Sequence, residues 1–568
     1  MAPSALFPMA LSSTIILFVS VVVVPHVALG DTIRLMLLSD VHYDPAYGTS
    51  EGYGACTSSS SPEWGIPSCD APLQLVQSAI RDAATQDPDL LLMSGDWLRH
   101  GFNSLPMSEA IPTFQKVAEL MSEVMPNTTS SVFSVPNFQG ALGNNDFIPD
   151  YHFNLSNPAH PLLLNQSKVL KDLRLLSSDE SSTFGQCGYY SRVVKRRSTN
   201  ASSGLRVIVL NTIMYSVLLD PPLTLNVEDP CDQFAFLSGT LYDARVAGDR
   251  VVIVAHIPPG MNLYNALSGG VNSGTSNRQF WFERFVTSFR NIVAAYKDVV
   301  TFQFYGHTHM FSVIADADLG VPGIIVPSVT RLFGNNPSYL IAEMDDTTWQ
   351  VSDVHQRHFV EAPNGSVWWE TGDATLGSLF AYGGDKNVEG SIFGEGNVTV
   401  LADGSIAMVS NDSLWQQFQM VHEGGVMLNL FPTPPGSAPP VVKGSCNSEC
   451  KQIVLCSMLH VRWDAISSCV SSPMPTLIPA SAPTTSGSGS GAGDPNPSNS
   501  GVAGGYIALY IMCAVLGICS IAVVGRRLPM WAKKVASGRN SEAAGLVSAS
   551  PTRRELDSVA YDEGVQAV

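Results

Sequence analysis

The chain has 568 residues, 45% of them hydrophobic and 14% charged, with a formal net charge of −18. This length exceeds what one core needs and predicts one large domain plus extensions. The tail after Gly525 carries seven basic and five acidic residues, so the rest stands near −20; that balance excludes a nucleic-acid partner and argues against a long polyanionic substrate.

Residues 1–30 read as a signal peptide. Leu11–Val24 is mostly apolar, and Ala28-Leu29-Gly30 is a small-residue cleavage pattern. The segment before Leu11 has no Lys or Arg, so an uncleaved anchor stays open. Ile33–Leu38 then reads as a buried strand. It runs into Ser39-Asp40-Val41-His42, which puts a carboxylate and an imidazole two residues apart at a strand end, where both can bind one metal ion. Asp70-Ala71-Pro72 reads as the start of a helix over Leu73–Ala84, and Ile111–Val124 has a second helical pattern.

Four later apolar runs end as the first does. Leu90–Met93 leads into Ser94-Gly95-Asp96. Phe138–Leu142, in an expected strand near 132–142, leads into Gly143-Asn144-Asn145-Asp146. Val251–Ala255 leads into His256-Ile257-Pro258-Pro259-Gly260, and Val299–Tyr305 into Gly306-His307-Thr308-His309. Further strands are expected near 206–210, 323–326 and 339–342, and strands alternating with helices predict an α/β architecture. His160, His355, His358, His422 and His460 match no motif and read as surface or satisfied core residues.

Of ten cysteines, Cys513 and Cys519 lie in a late apolar segment. Eight others (Cys56, Cys69, Cys187, Cys231, Cys446, Cys450, Cys456, Cys469) form an even set behind a signal peptide and read as disulfides. The alternative for the last four is a zinc knot. Seven Asn-x-Ser/Thr acceptors, Asn127, Asn154, Asn165, Asn200, Asn364, Asn397 and Asn411, are candidate glycosylation sites. Residues 471–501 are rich in Ser, Pro, Thr, Gly and Ala and read as a flexible stalk. Val502–Val524 is uncharged and long enough to cross an apolar layer of about 30 Å. Arg526, Arg527, Lys533 and Lys534 follow, so the tail 525–568 is expected in the cytoplasm. The body is then expected outside the cell or in the lumen of an acidic organelle, lysosome or vacuole.

The ordered set D-x-H, G-D, G-N-x-D, H and G-H-x-H resembles the calcineurin-like metallophosphoesterases. The stretches HIPPG, GHTH, IVPSVT and NPSY, with the C-terminal cysteine spacing, resemble the acid sphingomyelinase-like phosphodiesterases over roughly Ile33 to Cys469. The resemblance implies two packed mixed β-sheets flanked by helices, with metals at strand ends. It implies a metallophosphoesterase domain over 31–354 and a C-terminal subdomain over 355–470, pinned by Cys446–Cys450 and Cys456–Cys469. Cys56–Cys69 and Cys187–Cys231 are guesses for the rest. It further implies two divalent ions, zinc before iron or manganese. Asp40, His42 and His309 would hold one, Asn144, His256 and His307 the other, and Asp96 would bridge them. A bridging hydroxide would attack in line, with no covalent intermediate.

Two departures stand out. The family pattern has His after the metal-binding Asn, where this chain has Asn145; Gly143-Asn144-Asn145-Asp146 and the stretch from Gly95 to His100 resemble endopolyphosphatases instead. Only nine residues separate Gly30 from Asp40, which leaves no room for a saposin-like domain and argues against sphingomyelin. His100, four residues after Asp96, is the expected general acid, with His152 as a second candidate. The expected activity is hydrolysis of a phosphodiester or phosphoanhydride, with a small phosphodiester, a nucleotide or polyphosphate as substrate. The alternatives are an endopolyphosphatase and a catalytically silent, membrane-anchored binding ectodomain. The expected ligand set is complete, which disfavours the silent reading.

Overall fold

All four residues of the run Leu90–Met93 are buried, as an apolar strand covered on both faces must be. The computed structural model describes residues 32–473, apart from 55, 57, 59–60, 102–106, 125–137, 157–159, 195–203, 225, 270–277, 373–374, 381–397 and 426–445. The strands among them are β1 (Thr32–Leu38), β2 (Leu90–Met93), β3 (Phe138–Gly140), β4 (Tyr190–Val194), β5 (Leu205–Val209), β6 (Arg250–Val254), β7 (Val300–Tyr305), β8 (Ser312–Ile314), β9 (Gly323–Ile325), β10 (Ser338–Asp345), β11 (Val351–Glu361) and β12 (Val367–Thr371). They form two sheets, ordered β12-β11-β10-β1-β2-β3 and β4-β5-β6-β7-β9-β8. β1, β2 and β3 run parallel, as do β5, β6, β7 and β9. The outer partners are antiparallel, so both sheets are mixed.

One apolar core runs through both sheets. Two side chains of β4 tie them together. The Tyr190 hydroxyl accepts from Gly140 N at 3.0 Å. Buried Arg192 donates to the Phe138 carbonyl at 3.0 Å and to Glu180 at 2.7 Å. Helices Leu73–Thr85, Met107–Val124, Gln233–Ala247 and Glu283–Ala295 flank the sheets. The parallel strands point their carboxyl ends the same way, so Asp40, Asp96, Asn144, His256 and His307 all follow strand ends on one edge, where open α/β sheets bind ligands.

β4, β8, β11 and β12 go beyond the sequence expectation. Burial alternates along β4, and polar residues interrupt β11, so neither shows the continuous apolar run that marks the central strands. Residue 355, the expected start of a second domain, lies in the middle of β11; the mainly helical part follows β12. That part packs on the loops after β7 and β8. Phe311 N donates to the His422 carbonyl (3.1 Å), and His422 Nδ1 donates back to the Phe311 carbonyl (2.5 Å). Ala315 N reaches Met458 O at 2.7 Å, and Val461 N reaches Asp316 Oδ2 at 2.8 Å.

The cysteines pair as Cys56–Cys69, Cys187–Cys231, Cys446–Cys450 and Cys456–Cys469, with Cα separations from 5.2 to 6.3 Å. Asn165 and Asn364 are exposed, and Asn154 and Asn411 half-buried. Among the described residues no helix is long and apolar enough to cross a membrane. The signal segment 1–30, the stalk beyond residue 473, Val502–Val524, the tail, and Asn127, Asn200 and Asn397 lie outside the described residues.

Candidate metal centre

Five of the seven expected ligands sit in a backbone region that side chains rarely tolerate. Asp40 has φ +48°, His42 +38°, Asp96 +54°, His307 +75° and His309 +61°. Such strain persists only where the surroundings over-determine it. Here Asp40 N bonds to Gly95 O at 3.0 Å, His42 N to Asp96 O at 3.1 Å, and His307 N to both oxygens of Asp40 at 3.1 and 3.0 Å. Two motif glycines are required by close approach. A Cβ at Gly143 would overlap the Asp96 carboxylate, and one at Gly306 would overlap Ser39 Oγ and crowd Asp40.

All seven side chains converge. His42 Nδ1 lies 2.9 Å from the Leu98 carbonyl, and His256 Nδ1 lies 3.0 Å from the Ser94 carbonyl. A carbonyl only accepts, so in both rings Nδ1 carries a proton and Nε2 is the atom turned to the cluster. Those nitrogens face carboxylate and amide oxygens. His42 Nε2 lies 3.4 Å from Asp96 Oδ2, and His256 Nε2 lies 3.2 Å from it and 3.1 Å from Asn144 Oδ1. His309 Nε2 is 3.2 Å from His42 Nε2 and 3.5 Å from Asp40 Oδ1. Acceptors buried face to face repel unless positive charge lies between them.

The titration behaviour says the same. Burial opposes ionisation of Asp40, but His309, His42 and His256 outweigh it and hold the carboxyl at about 2. Burial likewise opposes ionisation of Asp96, yet His256, His42 and the Asn145 amide hold it well below the usual carboxylate range. Burial also disfavours protonated His42 and His256, but Asp96 and Asp40 raise both to about 9. Burial, then the nearby charge of His256, pushes His307 down to about 3. The pocket is built for cations, and a metal ion there displaces protons. Two carboxylates, one amide oxygen and four imidazoles suit a divalent ion of borderline hardness. Asp96, His256 and His307 offer atoms close enough to share an ion, as do Asp40, His42 and Asp96.

The residues around this cluster define its reach. Asn145 does not face outward: its N–H donates to Asp96 Oδ1 at 2.8 Å and its Nδ2 to Asp96 Oδ2 at 3.0 Å. Asp146 accepts from Gly143, Asp96, Trp97 and Leu98 amides and locks the two glycine turns together. His100 stacks on His42 at 4.0 Å. Its Nδ1 meets Asp70 Oδ1 at 3.0 Å, and its N–H donates to Asp70 Oδ2 at 2.7 Å. Tyr53 stacks on His100 at 5.4 Å. Asp70, read from sequence as part of a helix start, is spent on His100; the helix is capped by Pro72 without a side-chain bond. His152 is not brought into the cluster and pairs with Asp220 at 2.8 Å. The roles of Asp70 and Tyr53 carry no short-motif signal, whereas Asp146 closes the Gly143-Asn144-Asn145-Asp146 motif.

Residues 33–311 match the calcineurin-like phosphoesterase family. Acid sphingomyelinase-like phosphodiesterase 3b of Homo sapiens is 30% identical over 342 residues, spanning 56% of this chain and 69% of that protein. This chain belongs to the calcineurin-like phosphoesterase family and is a phosphoesterase. It is also similar to cyclic GMP-AMP phosphodiesterase SMPDL3A of Homo sapiens, 29% identical over 345 residues (56% of this chain, 68% of that one). Sphingomyelinase phosphodiesterase D of Dictyostelium discoideum is 27% identical over 301 residues (51% and 61%).

Proposed function

We propose that this chain hydrolyses a small phosphodiester at a pair of divalent ions, with a nucleotide-derived diester as the first substrate class. The observation that carries the reading is the convergence of His42 and His256 Nε2 on Asp96, with Asn144 Oδ1 beside His256. Asp40, His42 and His309 would hold one ion; Asn144, His256 and His307 would hold the other; Asp96 would be shared. Two such ions, zinc first, would polarise the phosphoryl oxygens and lower the pKa of water. Asn145 keeps the Asp96 carboxylate in place with two donors. His100, oriented through Nδ1 by Asp70, offers Nε2 to protonate the departing oxygen. The relatives support a diester: one is named for cyclic GMP-AMP, others for sphingomyelin-type chemistry.

Four disulfides support folding in an oxidising compartment, and the uncharged run Val502–Val524 supports a single-pass anchor with the body outside the cytoplasm. The deciding experiment incubates the purified protein with cyclic dinucleotides, mononucleotide diesters, polyphosphate and sphingomyelin. Diester cleavage that stops on chelation is expected. Turnover of polyphosphate alone would replace the reading with the polyphosphatase, and turnover of nothing, with metal bound, would favour a binding ectodomain.

A further inference from the structure

The turn after Asn145 reaches back to one half of the centre. Asp150 Oδ1 accepts from Asn144 Nδ2 at 2.8 Å. That bond fixes which end of the amide faces inward, because it leaves Oδ1 opposite His256. The next residue, Tyr151, places its hydroxyl 3.4 Å from His307 Nε2, with its ring edge-on to the imidazole at 6.3 Å. Both contacts go to the half made of Asn144, His256 and His307.

Tyr151 does this from a strained backbone, φ +61°. A bulky residue seldom occupies that region, and strain of this kind collects at functional sites. The surrounding chain holds it there. Tyr151 N donates to Asn144 O at 3.2 Å, His152 N to Pro149 O at 2.9 Å, and Asp220 N to Tyr151 O at 3.1 Å. Asp220 also takes His152 Nδ1, which staples the turn to the neighbouring segment.

We propose that Asp150 and Tyr151 are positioning residues that set the affinity of one metal position, the one held by Asn144, His256 and His307, separately from the other. The proposal rests on the ligand assignment made above. Partners that orient metal ligands are typically worth about 10–100-fold in affinity. A single turn that pins both an amide and an imidazole adjusts one position without changing any ligand.

The test is calorimetric titration of the chelated full-length chain with Mn²⁺, with thermal melting of each metal-free form as the check on folding. Wild type is expected to show two sites. In both Asp150→Ala and Tyr151→Phe, one dissociation constant should rise about 10–100-fold while the other stays put. Asp150→Asn, which keeps an acceptor oxygen, should restore most of the loss. Weakening of both sites alike, or of neither, overturns the proposal. A wild type that takes up no metal overturns the ligand assignment instead.

Discussion

Asn145 grips both oxygens of Asp96, one through its backbone and one through its side chain. The position where the family pattern has an imidazole is therefore committed to holding the Asp96 carboxylate. Asn145→Ala removes only the side-chain donor. It should lower kcat about 10–100-fold with little change in KM, measured by steady-state kinetics on a nucleotide diester. An unchanged kcat would show that the backbone donor suffices.

With Asn145 so engaged, His100 is the proposed proton donor. General acid catalysis is worth about 10²–10⁴-fold when the leaving group is poor and little when it departs unaided. His100→Ala should cost about 100-fold or more on an alkyl or nucleoside diester, and far less on a bis-nitrophenyl diester. Asp70→Asn should show the same substrate dependence in weaker form, since Asp70 only orients the ring. Equal losses on both substrates would assign His100 a supporting role.

Removal of the ions should abolish turnover, and adding them back should restore it. Asp96→Asn keeps the shape but removes the charge that both halves share. It should cost more than the about 10–100-fold expected of an outer residue, with metal content falling in step. Metal content by mass spectrometry and activity are read on the same samples, and activity that survives without metal would end the two-ion reading.

His422 supplies a pH dependence away from the centre. Burial pushes its imidazole down to about 4, only partly opposed by the hydrogen bond to Phe311 O. The folded protein thus keeps His422 neutral where the unfolded chain, near 6.5, takes up a proton. A depressed value means the stability is present above pH 6.5 and is lost as pH falls towards 4. The full loss is about 3 kcal/mol. Unfolding free energy measured across pH 4–7 should fall on the acid side, and His422→Phe should flatten that limb by about one proton. An identical slope in the variant would place the acid sensitivity elsewhere.

The central strands and the cluster were legible because both write themselves locally. A strand buried on two faces is a continuous apolar run, as in Leu90–Met93, and a ligand at its end follows within a few residues. The residues that aim those ligands are not local in that way. Asp70 reaches His100 across thirty positions, and nothing beside Asp70 distinguishes it from a helix cap. Asp150 lies close to Asn144 in the chain, yet only the turn shows that its carboxylate meets the amide. Edge strands such as β4 alternate in burial, so they lack the uninterrupted run that marks the core.

β1 leads into Asp40 and His42, and its second neighbour is β10, which lies well beyond the segment 33–311 that matches the family. A fragment cut at Phe311 would leave β1 with one open edge, a template for aggregation. It would also strip the His422 bonds from the loop that bears His307 and His309. The smallest piece that can fold on its own is therefore longer than the piece that is recognisably related: it must run through β10 to His422, and to Val461 if the loop after β8 is to keep its partner.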